Sequence, residues 1–266
     1  MGLDPVYLAT AVEGALACGR IHRRFFRQDP RIHKKGRIDL VTEADLEAEQ
    51  MFRDLIAARF PDHAVIGEES GMSPTARDAR FQWIIDPVDG TTNFAHGLAF
   101  FCVSIALQIA GALAVGVIYD PIADELFTAE RGEGARLNGQ PIHVSNAEAL
   151  IDAMMCTGFP YTVREDRLKQ VAVFAAFLPE AQAVRRLGSA ALDLAYVACG
   201  RLDAFWEESL KAWDMAAGAL IVQEAGGVVT NVDGTPYDPF AGHIAASNAA
   251  IHPLMMDVIL KTRRAV

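Results

Sequence analysis

The chain has 266 residues, a hydrophobic share of 52% and a formal net charge of −10. That is ample apolar material for one large globule or two halves sharing a sheet system, and the acidic balance argues against non-specific nucleic-acid binding. No run approaches the roughly 20 apolar residues of a membrane span, the first residues carry Asp4 and Glu13 without the basic region of a signal peptide, and Cys18, Cys102, Cys156 and Cys199 lack C-x-x-C spacing, so reduced thiols in a cytoplasmic protein are expected.

Asp4-Pro5 opens a helix with a cap residue and a proline in the first turn, and Leu8, Val12, Ala15 and Gly19 form its apolar stripe. The basic stretch from Arg23 to Arg37 follows, with Lys34-Lys35-Gly36 as a candidate lid. Thr42-Glu43-Ala44-Asp45 resembles a capping box, and Ala48, Phe52, Leu55 and Ile56 keep helical spacing until Phe60-Pro61 stops them. Ala64-Val65-Ile66 is a short strand that ends in Gly67-Glu68-Glu69-Ser70, and residues 71–80 are polar loop. From Phe101 to Ile109 the residues alternate as in a strand covered on one face and half-buried on the other. Leu113–Tyr119 pairs with it, Asp120-Pro121 turns into Glu125–Ala129, and Asn138-Gly139 is a tight-turn signal. Residues 64–145 thus read as an antiparallel meander.

Beyond residue 150 the rhythm becomes α/β. Strands are expected at Ile151–Thr157, Ala183–Arg186, Ala204–Trp206, Val228–Asn231 and Ile244–Ala246. Helices are expected at Arg164–Phe177, Ser189–Cys199, Asp214–Glu224 and from about Pro253 onward. Two halves follow, 1–148 and 149–266, the first antiparallel α+β and the second α/β.

The chemistry gathers at strand and helix ends. Trp83-Ile84-Ile85 delivers Asp86 and Asp89, separated by Pro87 and Val88 and followed by Gly90-Thr91-Thr92. Two carboxylates side by side need a cation, because the idealised desolvation cost is of order 20 kcal/mol per ion and like charges repel. Pro87 lacks an N–H, which helps turn the Val88 carbonyl toward the same point, and the Gly90 and Thr91 amides can face an anion. Read alone, the stretch serves equally well as a polar loop closing a strand. Asp214, at a helix start, reads alone as an N-cap. Glu207, beside Glu208, reads alone as an exposed charge. Taken together, Glu68, Glu69, Asp86, Asp89 and Asp214 are carboxylates without His or Cys partners, a set that suits Mg²⁺, Mn²⁺ or Ca²⁺ rather than zinc. The calcium-loop pattern, the P-loop, G-x-S-x-G and H-E-x-x-H are all absent from the sequence.

Four blocks in order resemble the inositol monophosphatase family: Asp39-Leu40-Val41-Thr42-Glu43-Ala44-Asp45, Gly67-Glu68-Glu69-Ser70, Asp86-Pro87-Val88-Asp89-Gly90-Thr91-Thr92-Asn93-Phe94, and Trp213-Asp214-Met215-Ala216-Ala217-Gly218 running on to Glu224-Ala225-Gly226-Gly227. Arg186-Leu187-Gly188-Ser189-Ala190-Ala191-Leu192-Asp193 resembles the bacterial branch; Ala212 departs from it, where a proline is common. The resemblance implies a layered αβαβα sandwich that hydrolyses phosphate monoesters with two or three Mg²⁺ per site. Glu68, Asp86, the Val88 carbonyl, Asp89 and Asp214 would be metal ligands, with Glu69 beside them. Asp45 and Thr91 would orient and deprotonate the attacking water, and the Gly90 and Thr91 amides would hold phosphate. Lys34 would belong to a mobile loop. Gly188, Ser189, Ala190 and Glu207, with Asp89 and Asp214, would meet the alcohol part of the substrate. The substrate implied is inositol 1-phosphate or another small phosphorylated polyol or sugar. Histidinol-phosphate and fructose-1,6-bisphosphate phosphatases are alternatives; the nucleotide type, with Lys-Glu after the first Thr, fits less well. The resemblance also implies a lithium-sensitive homodimer, and a regulatory reading in which the chain associates with RNA polymerase.

Overall fold

The N-terminal helix starts where Asp4 puts it: its carboxylate accepts the Val6 amide at 3.0 Å, and α1 runs Val6–Phe25. The computed structural model describes residues 2–28, 32–34, 40–71, 79–160 and 168–265. The face α1 buries is Ala11, Ala15, Cys18 and His22, while the expected Leu8 and Val12 lie only partly buried at its edge. Small residues win that face because the neighbours come very close. A methyl group added at Gly14 would sit 2.6 Å from the Phe52 ring, and one at Gly19 2.4 Å from the Tyr119 ring.

A short antiparallel pair, β1 (Ile32–Lys34) and β2 (Leu40–Thr42), leads into α2 (Glu43–Arg59). The capping box is present, and Ala48, Phe52 and Ile56 are buried. Lys35, Gly36 and Asp39 lie outside the described residues, as does the Lys34 side chain.

Seven strands follow in sheet order β3 (Ala64–Gly67), β4 (Phe81–Asp89), β5 (Cys102–Ile109), β6 (Ala112–Asp120), β7 (Glu125–Glu130), β8 (Ala135–Leu137) and β9 (Gln140–Pro141), with the short α3 (Thr91–Ala95) after β4. The meander is antiparallel except at its start, where β3 and β4 run parallel. Tight turns force reversal from β5 onward, and the connection through α3 brings β5 back antiparallel to β4, whereas β3 and β4 pair in the same direction. Asn138 and Gly139, at φ 49° and 79°, make the expected turn between β8 and β9.

The second sheet has the order β11-β10-β12-β14-β13, built from β10 (Met154–Thr157), β11 (Ala183–Arg185), β12 (Ala204–Glu208), β13 (Val228–Thr230) and β14 (His243–Ser247). The strand expected from Ile151 begins only at Met154, because Leu150–Asp152 form a 3₁₀ turn. The remaining helices are α4 (Leu168–Phe177), α5 (Ala190–Ala198), α6 (Ala212–Glu224) and α7 (His252–Ala265). Residues 161–167, where the sequence predicts the first turns of α4, lie outside the described residues.

Strand alternation sorts the layers. Trp83, Ile85, Val103 and Ile105 pack on α1 and α2, while Ile84, Cys102, Ala106 and Ile118 face α5 and α6. Cys156, Phe205, Ile244 and Ala246 close on α5 and α6 from the second sheet, whose other face, with Met155, Ala204, Trp206 and Ala245, packs on α4 and α7. The result is the expected αβαβα sandwich. Both faces of β5 are therefore buried, not one; Ser104 escapes an unpaired hydroxyl by donating to the Trp213 carbonyl at 3.0 Å. Small residues make the middle layer thin: a methyl at Gly116 would stand 2.8 Å from the Ala217 carbonyl oxygen. No helix among the described residues is long and apolar enough to cross a membrane.

Candidate active site

Asp86 and Asp89 are three residues apart, so in a regular strand they would point to opposite faces. They do not, because the pairing slips. Asp86 faces Ser104 and Asp89 faces Cys102, so two residues of β4 oppose one of β5. This is a β-bulge at Pro87-Val88, a place where a residue without an N–H does no harm to the ladder. The bulge resets the parity and turns both carboxylates to the same side. It is fastened from behind by His22, whose Nε2 lies 2.7 Å from the Pro87 carbonyl oxygen, and by the Val88 amide, which donates to Asp86 Oδ1 at 3.0 Å. Burial of His22 lowers its pKa to about 4, so the ring is neutral and Nε2 donates.

Gly90 then takes the left-handed conformation, φ 97°, and a methyl there would lie 3.0 Å from the Phe100 carbonyl oxygen. The chain enters α3, and Thr91 Oγ1 sits 2.9 Å from the Val88 carbonyl oxygen and 3.3 Å from Asp45 Oδ1. Asp45 is the third residue of α2, fully buried, and its Oδ2 accepts both the Thr42 amide at 2.9 Å and the Thr42 hydroxyl at 2.5 Å. Asp45, Thr91 and the Val88 carbonyl thus form one chain of contacts.

Asp89 is held by the second half of the chain. Its Oδ2 accepts the Ser189 hydroxyl at 2.6 Å and the Ala191 amide at 2.7 Å, so this carboxylate caps the positive end of α5. The turn leading there is braced by Asn93, whose Nδ2 donates to the carbonyls of Phe100 at 2.8 Å and Leu187 at 3.0 Å. Asp214 arrives from the far side. It is not the N-cap of α6 but its third residue, and Oδ2 accepts the Lys211 amide at 2.6 Å.

Carboxylate oxygens of Asp86, Asp89 and Asp214 come within 4.8 Å of one another. Burial comes first for all three. The charge of Glu68 helps raise Asp89 to about 6 against the Ser189 and Ala191 hydrogen bonds; Asp89 and then Glu68 raise Asp214 to about 8; and Glu68, then Asp89 and Asp214, push Asp86 well above the usual carboxylate range. Glu68 stands half-buried in the turn after β3. Glu69 follows it, its amide donating to Glu49 Oε2 at 2.8 Å. The donors are all oxygen. Cys102 Sγ lies 3.8 Å from Asp89 Oδ2, but burial raises its pKa far up and keeps it a thiol. A hard cation fits this set, since its charge removes the repulsion that the three carboxylates otherwise carry.

Glu207 is not an exposed charge. It stands half-buried on β12, over Gly158, where a methyl group would be 2.1 Å from its carboxylate oxygens. Burial first, then the charges of Asp193 and Asp214, pushes its pKa well up. Its neighbour Glu208 pairs with Arg263 instead. Gly188, at φ 97°, turns the chain into α5, with Ser189 as its cap and Ala190 as its first residue. Three contributors escape a reading of the sequence: Glu49, His22 and Asn93. Only Pro87 inside a strand signals the bulge.

Acids stand at the ends of β3 and β4 and at the start of α6, between two sheets with helices inside and outside, and the three aspartates among them form a cluster that could hold a metal ion. The sequence matches the inositol monophosphatase family over residues 4–266, and the chain belongs to that family. A Synechocystis protein named inositol-1-monophosphatase is 45% identical over 261 residues, 96% of this chain and 89% of its own length. The Nus factor SuhB of Pasteurella multocida is 43% identical, over 90% of each chain. Among solved structures, inositol monophosphatase from Anabaena superposes with a TM-score of 0.88 at 42% identity, covering 97% of this chain and 96% of its own. The extragenic suppressor protein suhB from Bartonella henselae gives 0.90 at 40% identity, covering 96% and 99%.

Proposed function

We propose that the chain hydrolyses inositol 1-phosphate, or a closely similar phosphorylated polyol, with Mg²⁺ as the metal. The observation that carries this is the convergence of Asp86, Asp89 and Asp214 within 4.8 Å, with the Glu68 charge raising all three. Glu68, Asp86, the Val88 carbonyl, Asp89 and Asp214 would hold the metal ions. Bound Mg²⁺ supplies Lewis-acid polarisation of the phosphoryl oxygens and an acidified water. The chain's own groups do the rest. Asp45 and Thr91, already in contact, orient the attacking water, and the Asp45 carboxylate takes its proton. The Gly90 and Thr91 amides hold the phosphate, while Glu207 accepts hydrogen bonds from polyol hydroxyls beside Gly188, Ser189 and Ala190. Glu69 supports the cage from behind, and by the family resemblance Lys34 corresponds to a lysine of a mobile loop. The name of the Synechocystis relative supports the substrate class.

We further propose a cytoplasmic homodimer in which the first half of the chain, 1–148, carries most of the metal ligands and the second, 149–266, carries Asp214 and the contacts of Gly188, Ser189, Ala190 and Glu207 with the polyol. A panel of phosphate esters with and without Mg²⁺ tests the reading. Inositol 1-phosphate is expected to be turned over best, chelator to abolish turnover, and Li⁺ at millimolar levels to inhibit. Equal turnover in excess chelator overturns it; preference for histidinol phosphate or fructose 1,6-bisphosphate changes the substrate and keeps the site. The SuhB-named relatives favour a second reading, association with RNA polymerase, which a pull-down with purified polymerase tests.

A further inference from the structure

We infer that Glu49 is a positioning residue: it locks the loop that carries Glu68 and thereby sets the metal affinity of the carboxylate cage. The inference rests on the metal reading above. Glu49 lies four residues after Asp45, on the same face of α2 and one turn further along, and is only 1% exposed. Opposite it, residues 67–71 form a small closed loop, with the Gly71 amide 2.9 Å from the Gly67 carbonyl oxygen and the reverse contact at 3.5 Å. The Glu49 carboxylate fills the inside of that loop. Oε2 accepts the Glu69 amide at 2.8 Å, Oε1 accepts the Ser70 amide at 3.0 Å, and Arg53 Nε donates to Oε1 at 2.9 Å. Arg53 is itself tied to the Val65 carbonyl at 3.2 Å, just before the loop. The fit leaves no room, since a methyl group at Gly67 would lie 2.4 Å from the Glu49 carboxyl carbon.

The geometry has a mechanical consequence. One helix face holds Asp45 beside Thr91 and, a turn later, grips the two amides that follow Glu68. The water-orienting pair and the Glu68 loop are therefore set on one rigid element. Glu68 belongs to a loop closed at its ends by Gly67 and Gly71; without the grip on the amides between them, part of its ordering falls to metal binding, an entropy cost that weakens binding. A glutamine at position 49 has one oxygen for two amides, and its own NH₂ faces a donor, so part of the grip is lost with little change in volume.

The test is Mn²⁺ titration calorimetry on the full chain, with melting of the metal-free protein and phosphatase turnover measured alongside. Glu49→Gln is expected to raise the Mn²⁺ dissociation constant about tenfold, as expected when charge-assisted hydrogen bonds are lost. Phe52→Leu, on the same helix but facing the core, is expected to lower the melting temperature and leave Mn²⁺ affinity unchanged. Gly67→Ala, which keeps Glu49 but forces it from the loop, is expected to follow Glu49→Gln. Equal Mn²⁺ affinity in wild type and Glu49→Gln overturns the inference while leaving the metal reading intact. No Mn²⁺ binding by the wild type overturns both. If both loop variants fail to fold, Glu49 is a scaffold residue and the inference falls.

Discussion

Two helices open on the same local device and put it to different uses. In α2, Thr42 is followed three residues later by Asp45; in α6, Lys211 is followed three residues later by Asp214; in each, the acid accepts the backbone amide of the residue before the helix. Asp45 also takes the Thr42 hydroxyl and a contact from Thr91, and it is fully buried. Asp214 has the Lys211 amide and beyond it two other carboxylates. One aspartate is satisfied by its helix, whereas the other is held by its helix in a place that repels it. A cap is a statement about local backbone; function depends on what stands on the other side of the carboxylate.

The largest expected effect separates them directly. Asp214→Asn is expected to lower kcat about a thousandfold or more through loss of a metal ligand, yet to leave the metal-free protein as stable or more stable. The amide oxygen still accepts from Lys211 and one repelling charge is gone. Asp45→Asn is expected to lower kcat about a hundredfold, as for a general base, and to cost stability of about 1 kcal/mol, since an NH₂ then faces Thr42 or Thr91. Activity assays and urea unfolding without metal read both. If Asp214→Asn destabilises the metal-free chain as Asp45→Asn does, Asp214 is a structural cap and the contrast fails.

Second in size is the pH dependence of the metal-free protein. Asp214 has its pKa raised to about 8, by burial first and then by Asp89. A raised carboxylate binds its proton more tightly in the folded state, so between the unfolded value of about 3.9 and about 8 the native chain holds more protons. Its contribution is therefore full at low pH and is lost as pH rises through that window. The melting temperature of metal-free protein should fall from pH 5 to 8, the fall should shrink in Asp214→Asn, and Mg²⁺ should restore stability at pH 8. A flat profile in the wild type shows that the acids carry no mutual strain.

Much of this was legible in the sequence. Acids at the ends of three predicted elements, and the absence of His or Cys among them, pointed to an acidic cluster of the kind that suits a hard cation. Alternation from Phe101 to Ile109 marked β5, and the turn at Ala110-Gly111-Ala112 marked its partner. What stayed hidden depends on contacts across long separations. Asp86 and Asp89 share a face only because β4 gains a residue against β5, which appears in the pairing and not in the spacing. Glu49 with Arg53 reads as an ordinary i, i+4 ion pair on a solvated helix face, and only the arrival of the 67–71 loop buries it. Ser189, expected as the first residue of a helix, is the cap of α5, and its hydroxyl also reaches Asp89 a hundred residues away.

A third test sharpens the difference between acids that hold metal and acids that hold substrate. Glu207→Gln should lower kcat/KM for inositol 1-phosphate about tenfold relative to glycerol 2-phosphate, the scale of a lost charge-assisted hydrogen bond. Mg²⁺ half-saturation should stay constant. An equal loss on both esters, or a shift in Mg²⁺ dependence, assigns Glu207 to the cage.

The smallest effect returns to the two helix starts. Thr42 contributes its side chain: the hydroxyl accepts the Ala44 amide at 3.2 Å and donates to Asp45. Lys211 contributes only its backbone to Asp214, its amide to the carboxylate and its carbonyl to the Asp214 amide at 3.2 Å, and its side chain is exposed. Thr42→Ala removes one acceptor from a buried helix start and leaves Asp45 short of a donor, which should cost about 1 kcal/mol of unfolding free energy. Lys211→Ala keeps the amide that matters and should stay within about 0.5 kcal/mol of wild type. Urea midpoints measured side by side in chelator read this difference without interference from bound metal. If Lys211→Ala costs as much as Thr42→Ala, the lysine side chain helps to start α6, and Asp214 owes its position to more than its backbone hydrogen bonds with Lys211.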